Sequence, residues 1–388
     1  MLNRWFSRIE SRFLAFQRIK HWKFYLTLLC CLYCILSNTP GYTRLTRCSG
    51  QHDPIWETIN KQVDHPLSPI VIENISYHEA KLAFRLVPPI LAKILPSSDL
   101  CDRMIWLFLL QNIAGLIFIF LLIRLTEKNV SDRFLRILVP CCFCVLYTAN
   151  SFFCDLTFFF DSFAFLFLLI SISYSNFFII CISLFLACFT DERALIACGF
   201  VLLYHLLRSP KESKITGSVI APFVVIPVYL GARFYLQYHF GLHTPHGPGT
   251  GVGIREVLSK NSWDTISLGI FSAFKSFWLI LLLGVFYLKG RIARIIYAGT
   301  LLCIVGVGIS VYDFSRSISY GFIGILIILF EMHKKEVEPA GFNKFVFLLF
   351  ITSMLNPILS VRGYNVDISN PVFVKYLNRF HKDEIPVK

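Results

Sequence analysis

Acidic residues interrupt the apolar runs of this sequence at four places, and two of those interruptions carry an arginine within three residues. The first is His52-Asp53-Pro54-Ile55-Trp56-Glu57, and the second runs from Cys154-Asp155 to Asp161. The third is Thr190-Asp191-Glu192-Arg193, and the fourth is Tyr312-Asp313-Phe314-Ser315-Arg316. A carboxylate held near a substrate takes or gives a proton. An arginine beside it serves a carboxylate or a phosphate with two parallel hydrogen bonds. Asp161 is the most demanding of the set. It is expected a turn and a half into an apolar helix, where desolvation is costly unless the carboxylate is paired or wet. Arg193 and Arg316 are the candidate partners. Lys275 lies inside another apolar run and is read either as functional or as a side chain that snorkels or pairs with an acid. For any single acid the plainer reading also stands, that a short loop needs a polar residue.

Other spacings carry less. Lys81, Arg85 and Lys93 interleave with Leu82, Phe84, Leu86, Ile90 and Leu91. That pattern predicts a helix lying in the membrane interface over 78–95, broken at Pro88-Pro89. It is suited to meet an anionic head group or simply to hold its loop down. His239, His243 and His246 would line a metal site on a helix, but the Gly and Pro residues around them predict a loop that closes over a substrate. No metal and no cofactor is expected. Gly-x-Ser-x-Gly, His-Glu-x-x-His and Walker patterns do not occur. Ten of the 13 cysteines fall in apolar runs and read as small hydrophobes. Cys48, Cys101 and Cys154 lie in or beside loops, with one disulfide open among them.

The elements that must position these residues are helices in a bilayer. Of 388 residues, 55% are hydrophobic and 16% charged, and Phe alone accounts for 39; a soluble domain carries about a quarter charged. Runs such as 104–123 and 266–288 are long enough to span about 30 Å as helices. The fold class expected is all-α, a polytopic bundle of ten to eleven helices. The first 23 residues hold six basic side chains against Glu10, which predicts a cytoplasmic N-terminal tail over 1–23. The first crossing follows at 24–37, uncleaved. An outer loop covers 38–103, the bundle 104–361 and a tail 362–388. Within the bundle, crossings are expected at 104–123, 137–149, 156–173, 177–189, 194–207, 217–232, 266–288, 295–311, 318–331 and 345–361. The pair 177–189 and 194–207 is short enough to be a re-entrant hairpin instead. Loops assigned inside carry four, three, three and three basic residues, against none, one and one in the short outer links, the asymmetry that insertion demands. The formal charge of +13 therefore follows membrane topology rather than nucleic acid. The expected location is the inner (plasma) membrane of a bacterium, with the lipid bilayer as partner.

An N-in chain of this kind, with an acid in its first long outer loop, resembles the GT-C glycosyltransferases, membrane enzymes that use polyprenyl-phosphate-linked sugars on the outer face. Lys81-Leu-Ala-Phe-Arg85-Leu-Val-Pro88 is similar to the arginine-and-proline segment before helix two in some bacterial members. Thr190-Asp191-Glu192-Arg193-Ala194 is similar to a motif of related bacterial membrane proteins. The resemblance implies that Asp53, matching the family's loop acid, or else Glu57, acts as catalytic base. It implies that Arg85, Arg193 or Arg316 meets the lipid phosphate, with Asp161, Asp191, Glu192 and Asp313 completing the substrate-binding face. A polyprenyl-phosphate sugar donor would then be the partner. The sequence departs from the family in spacing Asp53 and Glu57 four apart and in lacking a large soluble C-terminal domain. The alternatives are a polysaccharide polymerase, a transporter or flippase of lipid-linked substrates, and a membrane protein with no enzymatic role.

Overall fold

The computed structural model describes residues 2–38, 42, 45, 54–68, 82–95, 99–156, 160–209, 216–242, 253–311, 313–333, 341–362 and 365–369. Nearly all of the described chain is helical. The exception is a C-terminal antiparallel hairpin, β1 (Ile358–Arg362) and β2 (Asn365–Ser369), paired in register from Ile358 with Ser369 to Arg362 with Asn365. The all-α class holds for the body of the described chain, and the hairpin follows its last helix. The apolar run over 345–361 stops as a helix at Leu355 and turns into the first strand.

The expected N-terminal tail is a helix, α1 (Leu2–Phe16), followed by α2 (Trp22–Asn38). The segment 38–103 contributes α3 (Pro54–Asp64) and α4 (Val87–Ile94). Pro88 and Pro89 start α4 rather than break it, because in a first turn their missing N–H groups have no helical acceptor to serve. The interfacial helix expected over 78–95 is thus shorter, and its residues 78–81 lie outside the described ones.

The next helix, α5 (Leu100–Asn129), runs for 30 residues from an Asp99 cap whose side chain accepts from Cys101 and Asp102 N–H. Cys101 is disulfide-bonded, while Cys154 remains a thiol. The crossing expected at 137–149 is two helices, α6 (Arg133–Cys144) and α7 (Tyr147–Cys154), bent by 54°. Pro140 deprives α6 of one backbone donor near its end. The Asn150 side chain then donates to the buried Cys144 carbonyl at the break, which has no intrahelical donor.

Three short apolar helices follow, α8 (Asp161–Ser173), α9 (Phe177–Thr190) and α10 (Ala194–Leu206). After them come α11 (Gly217–Phe240), α12 (Ile254–Lys260), α13 (Trp263–Phe274), α14 (Trp278–Tyr287) and α15 (Arg291–Gly308). The chain closes with α16 (Phe314–Ile318), α17 (Phe322–His333) and α18 (Phe342–Leu355). Helix α11 extends to Phe240, into the loop expected from 233, and the remaining histidines of that loop lie outside the described residues.

Among the described residues, five helices are long and apolar enough to cross a membrane: 100–129, 217–240, 263–287, 291–308 and 314–333. They become six when the bent α6–α7 pair is one span, and five shorter apolar helices accompany them. This is the inventory of a multi-pass membrane protein. Burial separates its centre from its rim. The apolar window of 314–333 is 94% buried, whereas those of α11 and α15 are only 28% buried. The rim presents Phe223, Phe234, Leu282, Phe286, Ile292 and Leu302 outward, a belt that water would not tolerate and hydrocarbon does. Where α10 meets α15, Gly199 allows close approach. A Cβ there would lie 2.2 Å from Thr300 Oγ1, the small-residue contact by which membrane helices gain packing.

Lys275 neither snorkels nor pairs with an acid. It sits at the break between α13 and α14 with φ 49°, and its Nζ donates to Ser353 O (3.0 Å) and Asn356 O (3.1 Å). These are carbonyls at the C-terminal end of α18, where intrahelical donors have run out. The ammonium therefore caps one helix from the broken middle of another.

Candidate functional site

The two ends of the bundle differ in charge chemistry. One end gathers ordinary polar closures: Lys23 with Glu127 (2.5 Å), Arg208 with Glu331 (4.0 Å), and His333 with Ser131. At the other end, all seven residues proposed for substrate binding lie in one chain of alternating charge. Asp313 Oδ2 meets Arg316 Nη1 (3.1 Å), and Arg316 Nε meets Asp161 Oδ2 (2.6 Å). Asp161 Oδ1 meets Arg193 Nη2 (2.7 Å), which also meets Asp191 Oδ2 (2.5 Å). Asp191 Oδ2 continues to Arg85 Nη2 (2.8 Å), and Arg85 Nε ends at Glu192 (3.9 Å). Four carboxylates and three guanidiniums alternate along this ladder, so both ends are acidic.

Local structure explains how residues so distant in sequence arrive together. Asp161 is the first residue of α8, not a turn and a half inside it as expected, so its carboxylate lies at the positive end of the helix dipole. The preceding residue, Phe160, is held at φ 61° with its N–H donated to Asp155 Oδ2 (3.0 Å). A left-handed phenylalanine costs about 1–2 kcal/mol, so Asp155 fixes a strained turn that aims Asp161 inward. Asp191 ends α9, and Arg193 precedes α10. Both Arg193 N and Arg193 Nε donate to Asp191 Oδ1 (3.0 and 2.7 Å), making the link between α9 and α10 a rigid corner. Arg316 comes from the short helix α16, which also supplies Ser317 Oγ to Arg193 Nη1 (2.6 Å). Arg85 sits in the turn before α4.

The interior of the ladder is dry. Asp161 and Asp191 are fully buried, and Arg316 is 1% exposed. Asp161 accepts from four side chains: the two arginines, the Tyr147 hydroxyl (3.3 Å) and the Tyr320 hydroxyl (3.3 Å). Burial alone would raise the Asp191 carboxyl, but Arg193 and Arg85 outweigh it and hold the group well below the usual carboxylate range. For Arg85, burial opposes the charge, and Asp191 followed by Glu192 restores it. The ladder opens toward solvent at its ends, where the Glu192 and Asp313 side chains are 35% and 14% exposed. Thr148, Ser162 and Ser315, each one residue from a ladder member or its tyrosine, have buried hydroxyls with no hydrogen bond among the described residues.

The two residues named as base are placed differently. Asp53 lies outside the described residues. Glu57 is exposed on α3. Helix α3 itself is tied to the ladder's neighbourhood at both ends. Trp56 Nε1 donates to Leu156 O (3.3 Å), in the segment leading to Asp161. Gln62 Nε2 donates to Leu82 O (2.8 Å), three residues before Arg85. The sequence reading missed Tyr147, Ser317 and Tyr320. Tyr320 had a signal, since it follows Arg316 by four residues and so shares its helical face. Tyr147 had none. Among the described residues no cluster of His, Cys, Asp or Glu has the arrangement of a metal site. No family model matches this chain, and no curated protein or solved structure matches it.

Proposed function

We propose that this protein is a membrane glycosyltransferase that moves a sugar from a polyprenyl-phosphate donor on the outer face of a bacterial inner membrane. In this reading the N-terminus is cytoplasmic, the shorter apolar helices also cross, and the chain has ten or eleven spans. The ladder end is then the outer end, and the disulfide-bonded Cys101 beside α3 suits an oxidising compartment.

One observation carries the reading. The first long loop, which bears Asp53 and Glu57, sends α3 across the ladder end and is hydrogen-bonded to the segments that deliver Arg85 and Asp161. That arrangement ties the helix bearing Glu57 to the end of the bundle that holds the arginines. Asp53, or else Glu57, takes the proton of an acceptor hydroxyl as its oxygen attacks the anomeric carbon. The bond from that carbon to the phosphate oxygen breaks, and polyprenyl phosphate leaves with the electron pair. Single displacement inverts the anomeric carbon. Arg193 and Arg316 are occupied deep in the ladder, so they orient Asp161 and Asp191. In this reading Arg85, beside the partly exposed Glu192, receives the phosphate as its charge develops. The buried hydroxyls of Thr148, Ser162 and Ser315 suit the hydroxyls of a sugar.

The donor class is tested with purified protein in lipid vesicles. Radiolabelled polyprenyl-phosphate sugars are expected to lose label to an acceptor, and the same sugars as nucleotide conjugates are expected to give none. Transfer from the nucleotide sugar, or none from either donor by folded protein, would overturn the proposal and turn attention to transport.

A further inference from the structure

A cavity of about 400 Å³ opens on the bundle away from the ladder, between α1, α2, α6 and α18. Its walls are almost wholly apolar, with Phe13 from α1, Leu29 and Tyr33 from α2, Cys141 from α6 and Phe350 from α18. Leu29 is 54% exposed on the outward face of α2, so the cavity communicates with the lipid-facing rim rather than with the core. Among the described residues Arg12 is the one charged residue lining it. That arginine is exposed and makes no ion pair among the described residues.

Helix α1 explains the combination. Phe6, Ile9, Phe13 and Phe16 recur at helical spacing on the inner face, where Phe6 meets Phe134 of α6 edge to face and Phe13 stacks on it. Arg8, Arg12, Arg18 and Lys20 are exposed on or just after the same helix. This is the pattern of a helix lying in a membrane interface with its basic face toward head groups.

We propose that the cavity is a lipid-binding site holding one hydrocarbon chain of an anionic phospholipid, with the lipid phosphate on Arg12. An apolar chain matches the walls. The Arg12 guanidinium in the lining matches a phosphate with no cation of its own, because a zwitterionic head group would bring a second positive charge to this basic face. The site belongs to the basic end of the bundle and shares no residue with the ladder, so it stands whether or not sugar transfer occurs there.

Native mass spectrometry of the full chain in mild detergent tests it, using phosphatidylglycerol and phosphatidylcholine of identical chains. The wild type is expected to retain one phosphatidylglycerol about tenfold more tightly than phosphatidylcholine. Arg12→Gln, a change at an exposed position, is expected to abolish that preference. Cys141→Phe is expected to reduce retention of both lipids, and an unchanged unfolding temperature would show that the bundle is intact. Equal retention of the two lipids by the wild type would overturn the proposal. So would a phosphatidylglycerol preference that survives Arg12→Gln, since this marks lipid held by the general surface.

Discussion

Asp161→Ala is expected to destabilise the protein by about 3–5 kcal/mol, the cost of removing one partner from a buried ion pair. The carboxylate is fully buried and joins Arg193 and Arg316, so its loss strands parts of two guanidiniums in a dry interior. Tyr147 and Tyr320 lose their acceptor in the same step. Unfolding in a detergent series measures the effect directly. The double variant Asp161→Asn with Arg316→Met removes a cation along with the anion. It leaves Arg193 with Asp191, and Arg85 with Asp191 and Glu192. Its loss is therefore expected to be smaller than the sum of the losses in Asp161→Asn and in Arg316→Met measured singly, the signature of direct coupling. A single-variant loss below about 1 kcal/mol, the range of exposed pairs, would show that the ladder is not assembled as described.

Lys275→Met is expected to cost about 2–3 kcal/mol, because one buried and one half-buried carbonyl at the end of α18 lose a charged donor. Lys275 contributes in a second way that points in the opposite direction. Its φ of 49° lies in a region that L side chains avoid, at a cost on the order of 1–3 kcal/mol. Lys275→Gly removes the donor but relieves that strain, so it is expected to be milder than Lys275→Met. Equal losses for the two variants would mean that the ammonium alone matters. No loss in Lys275→Met would mean that water replaces it at the end of α18.

The helices were legible in the sequence because hydrophobic runs in a membrane protein need little tertiary help. Gly217–Phe240 and Arg291–Gly308 follow directly from apolar length. Their ends were less legible where a side chain decides the matter. The break after Cys144 depends on Asn150 reaching a carbonyl, and the early end of α18 depends on Lys275 from another helix. Neither contact has a local pattern. The final hairpin was hidden for a related reason, since Ile358–Arg362 continues an apolar run and only its pairing with Asn365–Ser369 distinguishes it. For the site, residue type was informative. A buried acid needs a cation, and Arg193 and Arg316 were the nearest suitable ones along the loops of one face. The alternation of the ladder was not legible, because it requires the Asp155–Phe160 contact, the α9–α10 corner and the turn before α4 to meet in space.

The glycosyltransferase reading turns on a carboxylate of the first loop. Its most direct measurement is transfer of label from a radiolabelled polyprenyl-phosphate sugar by wild type and Asp53→Asn, with Glu57→Gln alongside. A general base is worth about 10²–10⁴-fold in rate. A loss of that size is expected in Asp53→Asn, or else in Glu57→Gln, with unfolding unchanged. Full transfer activity in both folded variants would contradict it.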